Sequence, residues 1–244
     1  MLNWNSVSIP DFVLGTVQLG MPYGIANATG QPTETEGFDL IQLGMSRGYT
    51  WFDTAASYGT SEEFLGATFA RLSEVPTVMT KLDPNLDPKN PDEVVASIRR
   101  SCATLRCSTL FGVMVHRPEW LAHWETVGVG LRRARDLGFV SHFGVSIYTP
   151  EDMTRVLEIP DLALIQLPFN AWDPRFLATA SFEKAREAGR CCFLRSIYLQ
   201  GLLVMKPEEV AARLPEAYDF SVRWHAICQE LKLPVQVAAL RYAK

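Results

Sequence analysis

The sequence of 244 residues has no apolar run long enough to cross a membrane. A transmembrane helix needs about 20 predominantly apolar residues, and every apolar stretch here is interrupted well before that length. The chain begins with MLNWNSVSIPDF, where no positively charged stretch precedes an apolar run, so we expect no signal peptide. Basic blocks are also lacking and the net charge is −4, which indicates neither a nucleic-acid partner nor an anionic membrane surface.

Cysteine is sparse and shows no pattern typical of a metal site or a disulfide framework. The five cysteines contain no CxxC pair, and no set of His and Cys residues matches a zinc motif. An odd number without framework spacing is typical of reduced thiols, which usually serve as small buried apolar residues. We therefore expect a cytoplasmic protein without a structural metal. The positions are Cys102, Cys107, Cys191, Cys192 and Cys228.

What the chain does contain is a regular alternation of short β-type runs and amphipathic helical segments. Strands are predicted at 12–17, 49–54, 77–81, 110–116, 139–146, 162–168 and 191–196. Helices are predicted at 33–48, 60–73, 91–106, 119–138, 150–158 and 179–189. Apolar strands that alternate with helices predict a parallel sheet covered on both faces. We find no linker, so residues 1–244 should form one domain, as an open doubly wound sheet or a (β/α)₈ barrel.

Three of these helices begin with capping signals. Thr33 to Glu36 fits a capping box, in which the hydroxyl of the first residue and the carboxylate of the last satisfy free backbone amides. Asn90 and Thr149 each precede a Pro and two acidic residues, the pattern expected where a helix starts.

Polar residues stand at the ends of several otherwise apolar strands. Asp53, Lys81 and His116 end three consecutive strands, and Tyr58 follows Asp53 in the next loop. Taken singly, each residue could cap a helix, reach solvent or pack against a neighbour. In a parallel barrel, however, the carboxyl ends of all strands emerge at one face, where active sites lie. We therefore expect these four side chains to converge.

The chemistry that suits this group is proton delivery to a carbonyl oxygen. A phenol titrates near ~10, and an ammonium beside it favours the phenolate, so Lys81 should tune Tyr58 as a general acid. Asp53 would hold Lys81 in place, and His116 would donate a hydrogen bond to the same carbonyl oxygen. None of these groups supplies a hydride, so a nicotinamide cofactor would have to provide it.

The motifs LGTVQLG, FDTAASYGTSEEFLG, TK, HRPE and GVS together resemble those of the aldo-keto reductases, from about Val13 to the end of the sequence. The resemblance implies a TIM barrel that reduces a small aldehyde or ketone with NADP(H), with NAD(H) as the alternative. Its four catalytic residues fall on Asp53, Tyr58, Lys81 and His116, with Tyr58 as the acid. It says nothing of the oligomeric state.

The resemblance also implies where the cofactor binds. Ser146 and Gln166 match residues that hold the nicotinamide carboxamide, and Gly15 and Thr16 match the floor beneath the ring. The loop after the seventh strand would cover the pyrophosphate. This chain has Arg195 where many members place an aromatic residue against the nicotinamide, and a guanidinium can also stack on a ring. The remaining implied cofactor residues are Ser196, Leu199, Gln200 and Gly201.

The sequence as given contains seven predicted strands, so the eighth strand of the barrel and the helix that grips the 2′-phosphate are missing from it. Helical stretches around 207–232 and 234–244 follow the seventh strand. The first and seventh strands should then have unpaired edges. A non-catalytic barrel that acts as a binding or regulatory module is the alternative function.

Overall fold

The computed structural model describes residues 1–244 and contains an N-terminal hairpin and a curled parallel sheet of seven strands. The strands are β1 (Leu2–Trp4), β2 (Val7–Ile9), β3 (Leu14–Gly15), β4 (Trp51–Asp53), β5 (Thr77–Lys81), β6 (Leu110–Val115), β7 (Val140–Ser146), β8 (Leu164–Pro168) and β9 (Cys191–Arg195). All seven strands predicted from the sequence are present, although β3 is shorter than predicted. It ends early because the backbone turns at Thr16, whose N–H donates to the carbonyl of Asp53.

The order of the strands in the sheet decides between the two predicted architectures. Neighbouring strands follow the chain order from β3 to β9, and each pair is parallel. A doubly wound sheet reverses its strand order at a switch point, whereas a barrel does not. The fold is therefore the predicted TIM-barrel type, with β3 and β9 as its unpaired edges.

Helices connect the strands and cover the outer face of the sheet. They are α1 (Val17–Gly20), α2 (Glu34–Ser46), α3 (Ser61–Phe69), α4 (Pro91–Leu105), α5 (Trp124–Asp136), α6 (Pro150–Leu157), α7 (Arg175–Ala178), α8 (Ser181–Glu187), α9 (Pro207–Arg213), α10 (Tyr218–Glu230) and α11 (Val235–Ala243). The predicted capping box at Thr33 and the predicted N-caps at Asn90 and Thr149 are confirmed, and Thr149 also forms a capping box with Asp152. The helical stretches predicted around 207–232 are α9 and α10, which separate at Leu214 because Pro215 disfavours a helical conformation in the residue before it. No helix has the length and apolar character that crossing a membrane requires.

The N-terminal hairpin of β1 and β2 fills the amino-terminal end of the barrel, a feature that we did not predict. Trp4 and Ile9 pack in one buried cluster with inward-facing residues of the parallel strands, namely Met79, Met114, Leu164, Cys191 and Phe193. The indole nitrogen of Trp4 also donates to the carbonyl of Gly189 at 2.8 Å. Since this end is closed, the open end lies at the carboxyl ends of the strands, where the polar residues were expected.

Candidate active site

Lys81 and Asp53 form a buried ion pair at the carboxyl ends of β5 and β4. The Lys81 side chain is 1% exposed, and its Nζ donates to Asp53 Oδ1 at 2.8 Å and Oδ2 at 2.9 Å. A third hydrogen bond, to the carbonyl of Thr54 at 2.8 Å, uses the remaining proton. Burial favours the neutral amine, but Asp53 and Tyr58 outweigh it and the pKa of Lys81 is raised. Lys81 is therefore an ammonium at neutral pH, as the strand-end pattern predicted.

Tyr58 lies in the loop between β4 and α3, above this ion pair. Its ring centroid is 4.8 Å from Lys81 Nζ. A close contact between two glycines fixes the loop: a side chain at Gly20 would overlap the Tyr58 carbonyl, and one at Gly59 would overlap the Gly20 carbonyl. Gly59 also has a φ of 54°, which favours glycine. These glycines hold the phenol over Lys81.

The protonation state of Tyr58 corrects one sequence-based expectation. Burial raises the pKa of Tyr58, and this effect exceeds the lowering caused by the ammonium of Lys81. Lys81 thus acts in the predicted direction, but the net shift is opposite to the predicted one. Tyr58 is accordingly protonated at neutral pH and can donate a hydrogen bond.

His116 follows β6 and faces Tyr58 edge-on, with the two ring centroids 6.2 Å apart. Burial and the nearby ammonium of Lys81 lower the pKa of His116 to about 4, so the ring is neutral. Ser57 Oγ lies 3.3 Å from His116 Nδ1. A hydroxyl that donates to Nδ1 leaves the ring proton on Nε2, where it can be donated in turn. Ser57 was not predicted from the sequence, although its position next to Tyr58 could have indicated that it lies in the site.

The lowered pKa of His116 predicts that this residue weakens folding in acid. Between its ordinary value near ~6.5 and the folded value of about 4, the unfolded chain takes up a proton here that the folded chain does not. Folded stability should therefore fall as the pH falls through this window. With solvent screening of the half-buried ring, we expect a loss of about 1 to 2 kcal/mol. Urea unfolding at several pH values should show a shallower decline for His116→Gln; equal declines would contradict the prediction.

Gln166 connects this cluster to β8, which lies four strands away from β4 in the sheet. Its Nε2 donates to Asp53 Oδ1 at 3.0 Å, whereas its Oε1 is buried without a partner. Ser146 pairs with Gln166 in register and is also buried at the open end of the barrel. A buried acceptor without a donor is costly, and a primary carboxamide offers the N–H that it lacks. These residues therefore fit a nicotinamide amide.

The sequence matches the model of the Aldo/keto reductase family over residues 11–244. The chain belongs to this family.

Two curated relatives cover most of this aldo/keto reductase chain. Aldo-keto reductase YhdN of Bacillus subtilis (strain 168) is 24% identical over a 214-residue alignment, and the match covers 83% of this chain and 64% of YhdN. The 7-acetyl-epi-neemfruitin B aldo-keto reductase of Melia azedarach is 24% identical over a 204-residue alignment, and the match covers 73% of this chain and 63% of that protein. The chain thus spans slightly less than two thirds of the length of either relative.

Solved structures show the same fold. The glycerol dehydrogenase AKR11B4 of Gluconobacter oxydans superposes with a TM-score of 0.74 at 20% identity, covering 98% of this chain and 81% of that one. The holo form of aldo-keto reductase AKR11C1 from Bacillus halodurans gives a TM-score of 0.70 at 17% identity, covering 84% and 68% of the two chains.

In this member of the family, the two residues expected beneath the nicotinamide have different surroundings. Thr16 is buried, and its N–H and hydroxyl donate to the Asp53 carbonyl at 3.0 and 2.9 Å. Thr16 therefore aligns β4 rather than offering a free donor. Gly15 is exposed, and a Cβ added to it would contact no atom within 4 Å, so its backbone faces open space.

The loop after β9 brings the other predicted cofactor residues together. Ser196, Leu199, Gln200 and Gly201 all have positive φ, at 59°, 48°, 55° and 93°. Such conformations are strained for residues other than glycine and tend to occur at functional sites. The loop packs against the segment after α1, where the Ala26 N–H donates to the Gln200 carbonyl at 3.3 Å and a side chain at Gly201 would overlap Ala26. The contact holds the loop in this backbone conformation.

Glu62 is a second residue to which the sequence assigned no role. Its buried carboxylate accepts hydrogen bonds from Thr80 at 2.6 Å and from Ser101 at 3.1 Å. Burial raises the pKa of Glu62 despite these bonds. Because Thr80 precedes Lys81, Glu62 joins α3 and α4 to the strand that carries the buried ammonium.

Proposed function

We propose that this aldo/keto reductase chain reduces an aldehyde or ketone to an alcohol with hydride from NAD(P)H, and that Tyr58 is the general acid. The observation that carries the proposal is the position of the Tyr58 ring 4.8 Å from the buried Lys81 ammonium, which Asp53 holds in place. Besides the nicotinamide cofactor, the proposal requires only the carbonyl substrate as a partner. The expected cytoplasmic location stays a prediction.

The chain's residues would act on the carbonyl oxygen. Tyr58 Oη and His116 Nε2 each offer a proton to this oxygen, so they polarise the carbonyl before reaction. When bound, the nicotinamide cofactor would supply the hydride for the carbonyl carbon, which no side chain can provide. As negative charge develops on the oxygen, Tyr58 donates its proton, and the Lys81 ammonium stabilises the resulting phenolate.

The pKa of Tyr58 supports this order of events. In the free protein, burial keeps the phenol protonated and Lys81 opposes burial. A protonated phenol can orient the carbonyl, and the adjacent ammonium lowers the cost of the phenolate once the proton leaves. Asp53 keeps that ammonium in position, because both of its oxygens accept from Lys81.

Cofactor binding would involve the same end of the barrel. Gln166 Oε1 and Ser146 would hold the nicotinamide amide, with Gly15 and Thr16 beneath the ring. The strained loop from Ser196 to Gly201 would cover the pyrophosphate. We expect NADP(H) to be the cofactor, with NAD(H) as the alternative.

The test combines binding and turnover. NADPH and NADH are titrated against the 244-residue chain by fluorescence, and loss of NADPH absorbance is followed with an aromatic aldehyde as the probe substrate. We expect saturable binding and aldehyde-dependent oxidation of the cofactor. If neither NADPH nor NADH binds saturably, the proposal is overturned and the non-catalytic barrel is favoured.

A further inference from the structure

Arg195 places a partly buried cation at the open end of the barrel without an acidic partner. Its Nη2 donates to the Ile147 carbonyl at 3.1 Å, and its Nη1 lies 3.5 Å from Ser196 Oγ. Its Cζ is 4.4 Å from the ring centroid of Tyr148. No carboxylate forms an ion pair with Arg195. Its charge is therefore uncompensated, in contrast to that of Lys81.

The contacts of this guanidinium locate it relative to the cofactor site. Arg195 ends β9, and Ile147 follows β7, so the side chain reaches across the end of β8. Gln166, whose Oε1 has no partner, belongs to β8. Gln166 would hold the amide of a nicotinamide, and Arg195, which crosses the end of the same strand, would then flank the ring.

The charge of Arg195 extends to the reacting groups. It lowers the pKa of both Tyr58 and His116, as expected for a cation close to each of them. Asp53 is the carboxylate that acts on both residues, and Lys81 already neutralises it. The space between Tyr58 and Arg195 thus has a positive potential, which disfavours a second positive charge.

A nicotinamide ring is neutral when reduced and positively charged when oxidised. We propose that Arg195 makes this site select the reduced cofactor, so that the ratio of the Kd of NADP⁺ to that of NADPH is about tenfold higher than it would be without this charge. The inference rests on the proposed function, because it requires the nicotinamide to bind here. Faster loss of the oxidised product, and hence a preference for carbonyl reduction, would follow.

The ratio of the two dissociation constants is the appropriate measurement. Both forms carry the same phosphates, so any contact of Arg195 with a phosphate cancels in the ratio. Calorimetric titrations with NADPH and NADP⁺ are made on the wild type, Arg195→Met and Arg195→Lys. Arg223→Met is the matched control, because Arg223 is exposed on α10 and its loss changes the net charge equally.

We expect the ratio to fall about tenfold in Arg195→Met, a change of about 1.4 kcal/mol. Arg195→Lys should keep most of the preference, and Arg223→Met all of it. If both dissociation constants rise equally in Arg195→Met, the residue binds phosphate and the inference is wrong, while the proposed function stands. If the wild type binds neither form, the proposed function fails as well.

Discussion

Tyr58→Phe is expected to lower kcat for carbonyl reduction by about 10²- to 10⁴-fold, the usual contribution of a positioned general acid. The substitution removes the phenolic proton but keeps the ring, which is 4.8 Å from Lys81 Nζ and edge-on to His116. The amide site at Gln166 and Ser146 is left intact, so the Kd of NADPH should change by less than about threefold, or ~0.7 kcal/mol. Steady-state kinetics and a fluorescence titration measure the two quantities.

Tyr148→Phe is the matched control for this experiment. Tyr148 is also a tyrosine at the open end of the barrel, but it is 46% exposed and contacts Arg195 rather than Lys81. Loss of the Tyr148 hydroxyl should leave the kcat of Tyr148→Phe within a few-fold of the wild-type value. A Tyr58→Phe variant that reduces aldehydes at a near wild-type rate would show that another group delivers the proton.

Lys81→Met is expected to remove activity and to destabilise the fold by about 3–5 kcal/mol, because it leaves a buried carboxylate without its cation. The Asp53 side chain is only 16% exposed, and Lys81 supplies a hydrogen bond to each of its oxygens. The remaining hydrogen bond to its carboxylate comes from Gln166. Urea unfolding and kcat together measure the two losses.

A double variant separates stability from catalysis. In Asp53→Asn/Lys81→Met, no charge is left unpaired, so stability should recover by about 2 kcal/mol or more relative to Lys81→Met. Activity should not recover, since the ammonium that stabilises the phenolate is still missing. A double variant that is as unstable as Lys81→Met would indicate that packing, rather than the unpaired charge, causes the loss.

The strand-end residues could be predicted because parallel strands share a direction. Asp53, Lys81 and His116 stand at the carboxyl ends of neighbouring strands. Because these ends lie at one face of a parallel barrel, the three side chains are expected to lie close together. The helix caps at Thr33 and Thr149 were predictable for a similar reason, since they depend on a few adjacent residues.

Other features depend on packing that the sequence does not display. The N-terminal hairpin has strands of three residues each, and its turn at Asn5 and Ser6 lacks the glycine that signals such turns. The direction of the net pKa shift of Tyr58 depends on how deeply the phenol is buried, which only the structure shows. The Arg195 side chain crosses the end of β8 to reach the Ile147 carbonyl, and this conformation cannot be deduced from the residue type alone.

The hairpin of β1 and β2 packs against β9, the last strand of the sheet, and this contact affects the order in which the barrel can fold. The hydrogen bond from Trp4 to Gly189 joins residues 185 positions apart, and contacts of such long range form slowly. During synthesis, the hairpin cannot complete these contacts until β9 has emerged. The strand that carries Arg195 therefore pairs with β8 on one side and packs against the hairpin of β1 and β2 at its amino-terminal end.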